Sequence, residues 1–165
     1  KTVYDDFIIP ADALPLAGAH GPMTGLDPAK LAGLVIDDKQ ATKTGKWIEG
    51  TGLQGFVGWN YVYAGANSSA SIRFDAKVPQ TGRYDILIAY QPHPNRGSQV
   101  PVSVLTNGKT NRFKVNMRLP PEATGFKSLG QFELKAGAPL SVVFSTENAG
   151  GYVHADAVQI VRVDE

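Results

Sequence analysis

Arg83-Tyr84-Asp85-Ile86-Leu87-Ile88-Ala89-Tyr90 is the stretch on which the fold turns. Tyr84, Ile86, Ile88 and Tyr90 recur at period two, so they share one face of an extended chain while Asp85 and Leu87 share the other. An amphipathic helix would repeat its apolar residues at three and four. The run therefore reads as a strand with its tyrosine and isoleucine face in a core. Outward from it the same period returns between breakers. Upstream, Ser69 to Asp75 alternates, and Val78-Pro79-Gln80-Thr81-Gly82 forms the turn between the two strands. Downstream, Pro92, Pro94 and Gly97 end the strand and leave a loop carrying His93, Asn95, Arg96 and Gln99.

Val100 to Thr106 is the next strand, and Asn107-Gly108 follows it. Both residues tolerate positive φ, as a two-residue hairpin turn requires, and Thr110 to Asn116 returns along the first arm. Phe126 to Leu134 and Leu140 to Ser145 are strands joined at Ala136-Gly137-Ala138. Tyr152 to Val163 is the last, read with an interruption near Gln159. Toward the N-terminus lie Leu34-Val35-Ile36, a segment at Trp47 and Ile48, a loop punctuated by Gly50, Gly52, Gly55 and Gly58, and the aromatic strand Tyr61-Val62-Tyr63. The expectation is an all-β chain, an antiparallel β-sandwich of jelly-roll type with about eight to ten strands at a spacing of roughly 8–12 residues. The connections leave little room for crossover helices.

Residues 1–33 differ, with Pro10, Pro15, Pro22 and Pro28 and no sustained period. Val3 to Ile9 reads as an edge strand, and Asp27-Pro28 as the cap and first position of one helical turn. This segment is either a linker or an N-terminal arm packed on the domain formed by residues 34–165. The chain opens on Lys1 rather than Met, as a processed or excised piece of a longer chain would.

The 165 residues suffice for one domain with a sizeable core. Sixteen basic and fifteen acidic residues give a net charge of +1, with no basic stripe, which argues against nucleic acid. A neutral ligand or a protein partner suits that balance better. Cysteine is absent, so disulfides, thiolate metal sites and cysteine nucleophiles are excluded together. No apolar run reaches the length of about 18 residues that a membrane helix needs.

In order along the chain stand Ile36-Asp37-Asp38, Thr44-Gly45-Lys46-Trp47, Gly55-Phe56-Val57-Gly58 with Tyr61, Val78-Pro79 to Gly82-Arg83-Tyr84, Asn95-Arg96, Val100-Pro101-Val102 and Gly108. They continue with Val115-Asn116, Ser128-Leu129-Gly130 before Phe132, Gly137, and Gly151-Tyr152-Val153 running into Ala155-Asp156-Ala157-Val158. This co-linear set, over about residues 34–163, resembles the golvesin C-terminal domain, also described as the xanthan-lyase carbohydrate-binding-like domain. One departure is that Phe126 stands near where the family usually carries Trp. The resemblance implies a non-catalytic β-sandwich appended to another activity in a large secreted bacterial protein: a polysaccharide lyase, a peptidase or an FAD-dependent oxidoreductase-like domain. Polysaccharide binding is the first function it implies. Docking onto other domains of the parent chain, without sugar, is the alternative.

Sugar binding needs an aromatic ring for the apolar sugar face and polar groups around its rim. Two clusters offer them. Trp59, with Asn60 and Tyr61, stands in the Gly-rich loop; His93, Asn95, Arg96 and Gln99 stand in a loop stiffened by Pro92 and Pro94. For each the alternative is structural: Trp59 packed across the sandwich edge, and Arg96 satisfying loop carbonyls or pairing with Asp156. Asp37, Asp38 and Asp156 form a third group. In jelly-roll carbohydrate-binding modules the chain ends often meet at a structural calcium, which takes 6–8 oxygens, and these aspartates lie near both ends of the resembling stretch. The alternative is a salt bridge or hydrogen-bond role.

For catalysis the chain offers only Asp37 with Asp156 as a conceivable acid–base pair. Its three histidines, His20, His93 and His154, stand in unrelated contexts, and no Gly-x-Ser-x-Gly, Walker or paired-histidine motif occurs.

Overall fold

A computed structural model describes residues 21–121 and 125–163. Among them twelve strands form, joined by turns and two short 3-10 segments: β1 Leu34–Asp37, β2 Thr42–Thr44, β3 Ile48–Gly50, β4 Tyr61–Ala64, β5 Ser71–Ala76, β6 Gly82–Ala89, β7 Val100–Thr106, β8 Lys109–Val115, β9 Lys127–Leu134, β10 Leu140–Ser145, β11 Val153–Ala155 and β12 Ala157–Arg162. All pairings between them are antiparallel. Four strands in the order β1-β12-β6-β9 make one sheet, and five in the order β2-β5-β10-β7-β8 make the other. A small third sheet, β11-β4-β3, continues the sandwich at one end.

The alternating face of β6 does what its period demands. Tyr84, Ile86, Ile88 and Tyr90 are all buried in one core with Ile72 and Phe74 of β5, Val102 and Val104 of β7, and Val142 and Phe144 of β10. At the β7–β8 hairpin Asn107 and Gly108 both take positive φ, 55° and 72°, as the turn requires.

The outer face of the four-stranded sheet is covered as well. Val35, Ala89 and Ala157 pack there with Val57 and Phe126, and Leu31 closes over them. The cover is Val57 and Phe126, with the segment 21–33 laid along the loop that carries Val57. Gly25 and Leu26 donate to the carbonyls of Gly58 and Phe56 at 2.7 and 2.9 Å, and Gly58 donates back to Leu26 at 2.7 Å. Asp27 caps the 3-10 turn Pro28–Lys30 by accepting from the Ala29 amide. Residues 21–33 are thus an arm laid on the domain; the strand expected at Val3 to Ile9 falls outside the described residues.

Two boundaries differ from expectation. The last strand breaks at Asp156, not near Gln159. There the chain leaves the small sheet for the four-stranded one, so His154 pairs with Tyr63 while Ala157 pairs with Ala89. The strand count exceeds ten because the three-residue, exposed β2 carries no apolar alternation to announce it and the last strand divides into β11 and β12.

Candidate functional site

The switch at Asp156 builds a polar centre between sheets. Asp156 donates its amide to the Ala89 carbonyl, and its own carbonyl accepts from the Asp38 amide. Asp37 ends β1, and a capping box with Gln40 turns the chain so that Asp38 faces the same point. All three aspartates have no exposed surface, and one oxygen from each lies within 4.8 Å of the others. That is the widest separation a single cation can span with bonds of about 2.4 Å.

Each carboxylate is held by one oxygen. Asp37 Oδ2 accepts from the Lys39 amide, Asp38 Oδ1 from Asn60 Nδ2, and Asp156 Oδ2 from both the Val57 amide and Gln91 Nε2. The second oxygen of each, and Gln91 Oε1, is buried with no partner. Burial raises the carboxyl of all three, Asp37 to about 7 and Asp38 to about 9, with Asp37 and Asp156 adding repulsion at Asp38. Three buried carboxyls with orphaned oxygens must share protons or take a cation, since unpaired buried charge is costly. The donor set is all oxygen and suits a hard ion such as calcium. With none of the three exposed, no glycosidic bond can be held between Asp37 and Asp156, so that pair is not an acid–base couple.

A second feature occupies the outer face of the small sheet. Strand alternation sends Val62, Val153 and Ala155 into the core and Tyr61, Tyr63 and His154 to the opposite side. The His154 ring stacks against both Tyr61 and Tyr63, with centroids at 4.8 and 5.3 Å and planes 26° and 20° apart. Tyr152 meets Tyr63 edge to face at 6.1 Å. Tyr61 and His154 are buried, Tyr63 is half-buried and Tyr152 is 41% exposed. Burial holds the His154 imidazole down to about 3, with Arg96 and His93 adding to the effect.

The polar loop runs alongside. Tyr152 is pinned to it by backbone bonds, donating to Asn95 and accepting from Gly97. No side chain could be added between them, because a Cβ on Gly151 would come within 2.6 Å of the Arg96 carbonyl. His93, Asn95 and Gln99 are exposed around this point.

The expected residues therefore divide. Trp59 does not stand free: it is 7% exposed, and its Nε1 donates to the Gly21 carbonyl. The arm that closes over this loop is the reason. Asn60 is buried as the clamp on Asp38, and Tyr61 lies beneath the platform rather than on it. Arg96 does not pair with Asp156. Its Nε donates to the Gln91 carbonyl at 3.0 Å and its Nη1 to Asn95. His93, Asn95 and Gln99 remain at the surface, while Asp37, Asp38 and Asp156 are brought together. Tyr63, Tyr152 and His154 were missed. The first was read only as a strand residue, and a cross-strand stack becomes legible only once the pairing of β4 with β11 is known.

Comparison with known proteins agrees with this architecture. The golvesin C-terminal domain family matches residues 34–162. Xanthan lyase from Bacillus sp. strain GL1 is 29% identical over 151 residues, 87% of this chain and 16% of that protein. The chain thus spans about a sixth of the length of that relative. The solved xanthan lyase of Paenibacillus superposes with a TM-score of 0.72 at 29% identity, covering 79% of this chain and 13% of the other. A family 35 carbohydrate-binding module from Clostridium thermocellum superposes at 0.54 with 16% identity, covering 79% of this chain and 98% of that one, a likeness of fold. On the family match and the architecture together, the chain belongs to the golvesin C-terminal domain family.

Proposed function

We propose that this domain is a non-catalytic accessory module that binds polysaccharide at the outer face of the β11-β4-β3 sheet. The observation that carries the reading is the Tyr63–Tyr152 pair, an exposed aromatic corner flanked by His93, Asn95 and Gln99. Tyrosine offers a rigid apolar face for sugar C–H groups, and the amides and imidazole supply hydrogen bonds to hydroxyls. The platform is open, so affinity in the range of about 0.01–1 mM is expected.

Asp37, Asp38 and Asp156 would hold calcium, with a structural role. The ion would neutralise the cluster and tie β1 to the β11–β12 switch, and it makes no contact with sugar. A polysaccharide binder of this kind belongs outside the cytoplasm of a bacterial cell, attached to a larger protein that supplies any catalysis.

A glycan array followed by titration of the purified chain tests the reading, with Tyr152→Ala as the control variant. Binding that disappears in the variant while the melting temperature holds supports it. No binding to any glycan, together with retention of other domains of the parent protein, would replace it with the docking role. Among the described residues the exposed large apolar side chains are Leu26, Ile48, Leu105, Leu119 and Tyr152; a docking face would need such side chains gathered in one broad patch.

A further inference from the structure

We infer that the rim beside Tyr152 takes an anionic group, so the glycan bound on this face carries a carboxylate. This rests on the reading of that face as a sugar platform and names the class of sugar. The starting point is Arg96, which is 5% exposed. Its guanidinium donates to the Gln91 carbonyl and to the Asn95 side-chain oxygen, both neutral. Among the described residues the ion pairs are Lys39–Glu49, Arg73–Asp75 and Arg83–Glu133, and none involves Arg96. Asp156 accepts from Val57 and Gln91 through one oxygen and makes no ion pair with the guanidinium. Burial lowers the Arg96 pKa, as expected for a positive charge with no counter-charge beside it.

Two more cationic or proton-donating groups stand around the same point. Arg118, exposed, donates Nε to the Arg96 carbonyl at 2.7 Å and Nη2 to the Gly150 carbonyl at 3.2 Å, one residue before the Gly151–Tyr152 step. His93, also exposed, accepts the Asn95 amide on Nδ1 at 3.1 Å, which leaves its neutral-form proton on Nε2. The Tyr152 backbone is bonded on both sides of Arg96, to Asn95 and to Gly97. The backbones carrying Tyr152 and Arg96 are therefore held side by side, and a sugar stacked on Tyr152 would present its substituents toward these groups. A carboxylate there makes charge-assisted hydrogen bonds and supplies the missing counter-charge. The whole-chain charge of +1 is blind to this, because it averages a local excess over the entire surface.

Calorimetric titration of the full chain against tetragalacturonate, cellotetraose and free acetate, at fixed calcium and ionic strength, tests the inference. The acidic tetramer is expected to bind about tenfold tighter than the neutral one, the size of one hydrogen bond to a charged group, and acetate far more weakly than either. Arg118→Gln and His93→Gln should each bring the acidic-to-neutral ratio toward one; both are surface changes that spare the buried Arg96. Equal binding of the two tetramers overturns the anionic inference and leaves the sugar platform standing. Acetate binding as tightly as the acidic tetramer overturns it in favour of a free-anion site, and binding of neither tetramer removes both readings.

Discussion

His154 lies almost face to face with Tyr63, its directly opposite partner across β11 and β4, with ring centroids 5.3 Å apart. The contact fixes the orientation of the one half-buried ring in the aromatic corner. It also buries an imidazole whose Nδ1 has no hydrogen-bond partner. The platform is thus braced by a residue that can be charged only at a cost to folding.

That cost has a sign. The His154 pKa falls from 6.5 to about 3 on folding, so between those values the unfolded chain binds a proton that the folded chain refuses. Stability from this group is full above pH 6.5 and declines as pH drops toward 3. His154→Phe keeps a stacking ring and removes the titration. The difference in melting temperature between wild type and variant should therefore grow in the variant's favour from pH 7 to pH 4. A constant difference would show that His154 takes up its proton as readily in the fold as in the unfolded chain.

The aspartate cluster works in the opposite direction. Its carboxyls are raised, with Asp38 carried from 3.8 to about 9, so the metal-free fold keeps protons that the unfolded chain loses above pH 4. Its contribution is present at low pH and is lost as pH rises toward 9. Calcium binds the ionised form and stabilises the fold by mass action. The melting-temperature gain on adding calcium to chelator-treated protein should therefore be larger at pH 8.5 than at pH 5, and Asp38→Asn should largely abolish it. No gain at either pH would mean that protons alone hold the cluster.

Two aromatic truncations separate platform from scaffold. Tyr152→Ala removes a ring that is 41% exposed and should cost glycan binding with little change in stability. Trp59→Ala empties a buried site and breaks the Nε1 bond to the arm, and about 3–5 kcal/mol of stability should go with it. Denaturant titrations of both variants settle the contrast; a stable Trp59→Ala protein that has lost binding would return the platform to Trp59.

Ile88 has no exposed surface at the centre of β6. Ile88→Ala should lose about 2–5 kcal/mol in the same titration. A loss below about 1 kcal/mol would mean that the core can collapse around the missing atoms.

What could be read in advance follows from how local the determinants are. The β6 face and the Asn107-Gly108 turn are set by neighbours in sequence, and they were legible. The break in the last strand escapes a sequence reading because both faces of β12 are covered, by the sandwich core on one side and by Val57 and Phe126 on the other. A strand buried on both sides shows no alternation to mark its start, so the break at Asp156 left no local trace. The Gly-rich loop around Trp59 leaves both an exposed ring and one packed on the sandwich edge open, because the ring's cover comes from residues more than thirty positions earlier. The aspartates were found through chain position in the resembling family, and their convergence depends on a sheet switch invisible in the local pattern.

The antiparallel pairing of the first and last long-range partners has a mechanical consequence. Leu34 faces Ile160 at one end of the β1–β12 ladder and Asp37 faces Ala157 at the other. Tension applied through flanking chain at Leu34 and Arg162 therefore peels this ladder rung by rung, a low-force geometry, and travels toward the carboxylates. The bond from the Asp38 amide to the Asp156 carbonyl and the cluster beside it are met last. An ion seated there would act as a rivet at the end of the tear. In a single-molecule pulling trace, calcium should leave the onset of peeling unchanged and raise the force of the final rupture.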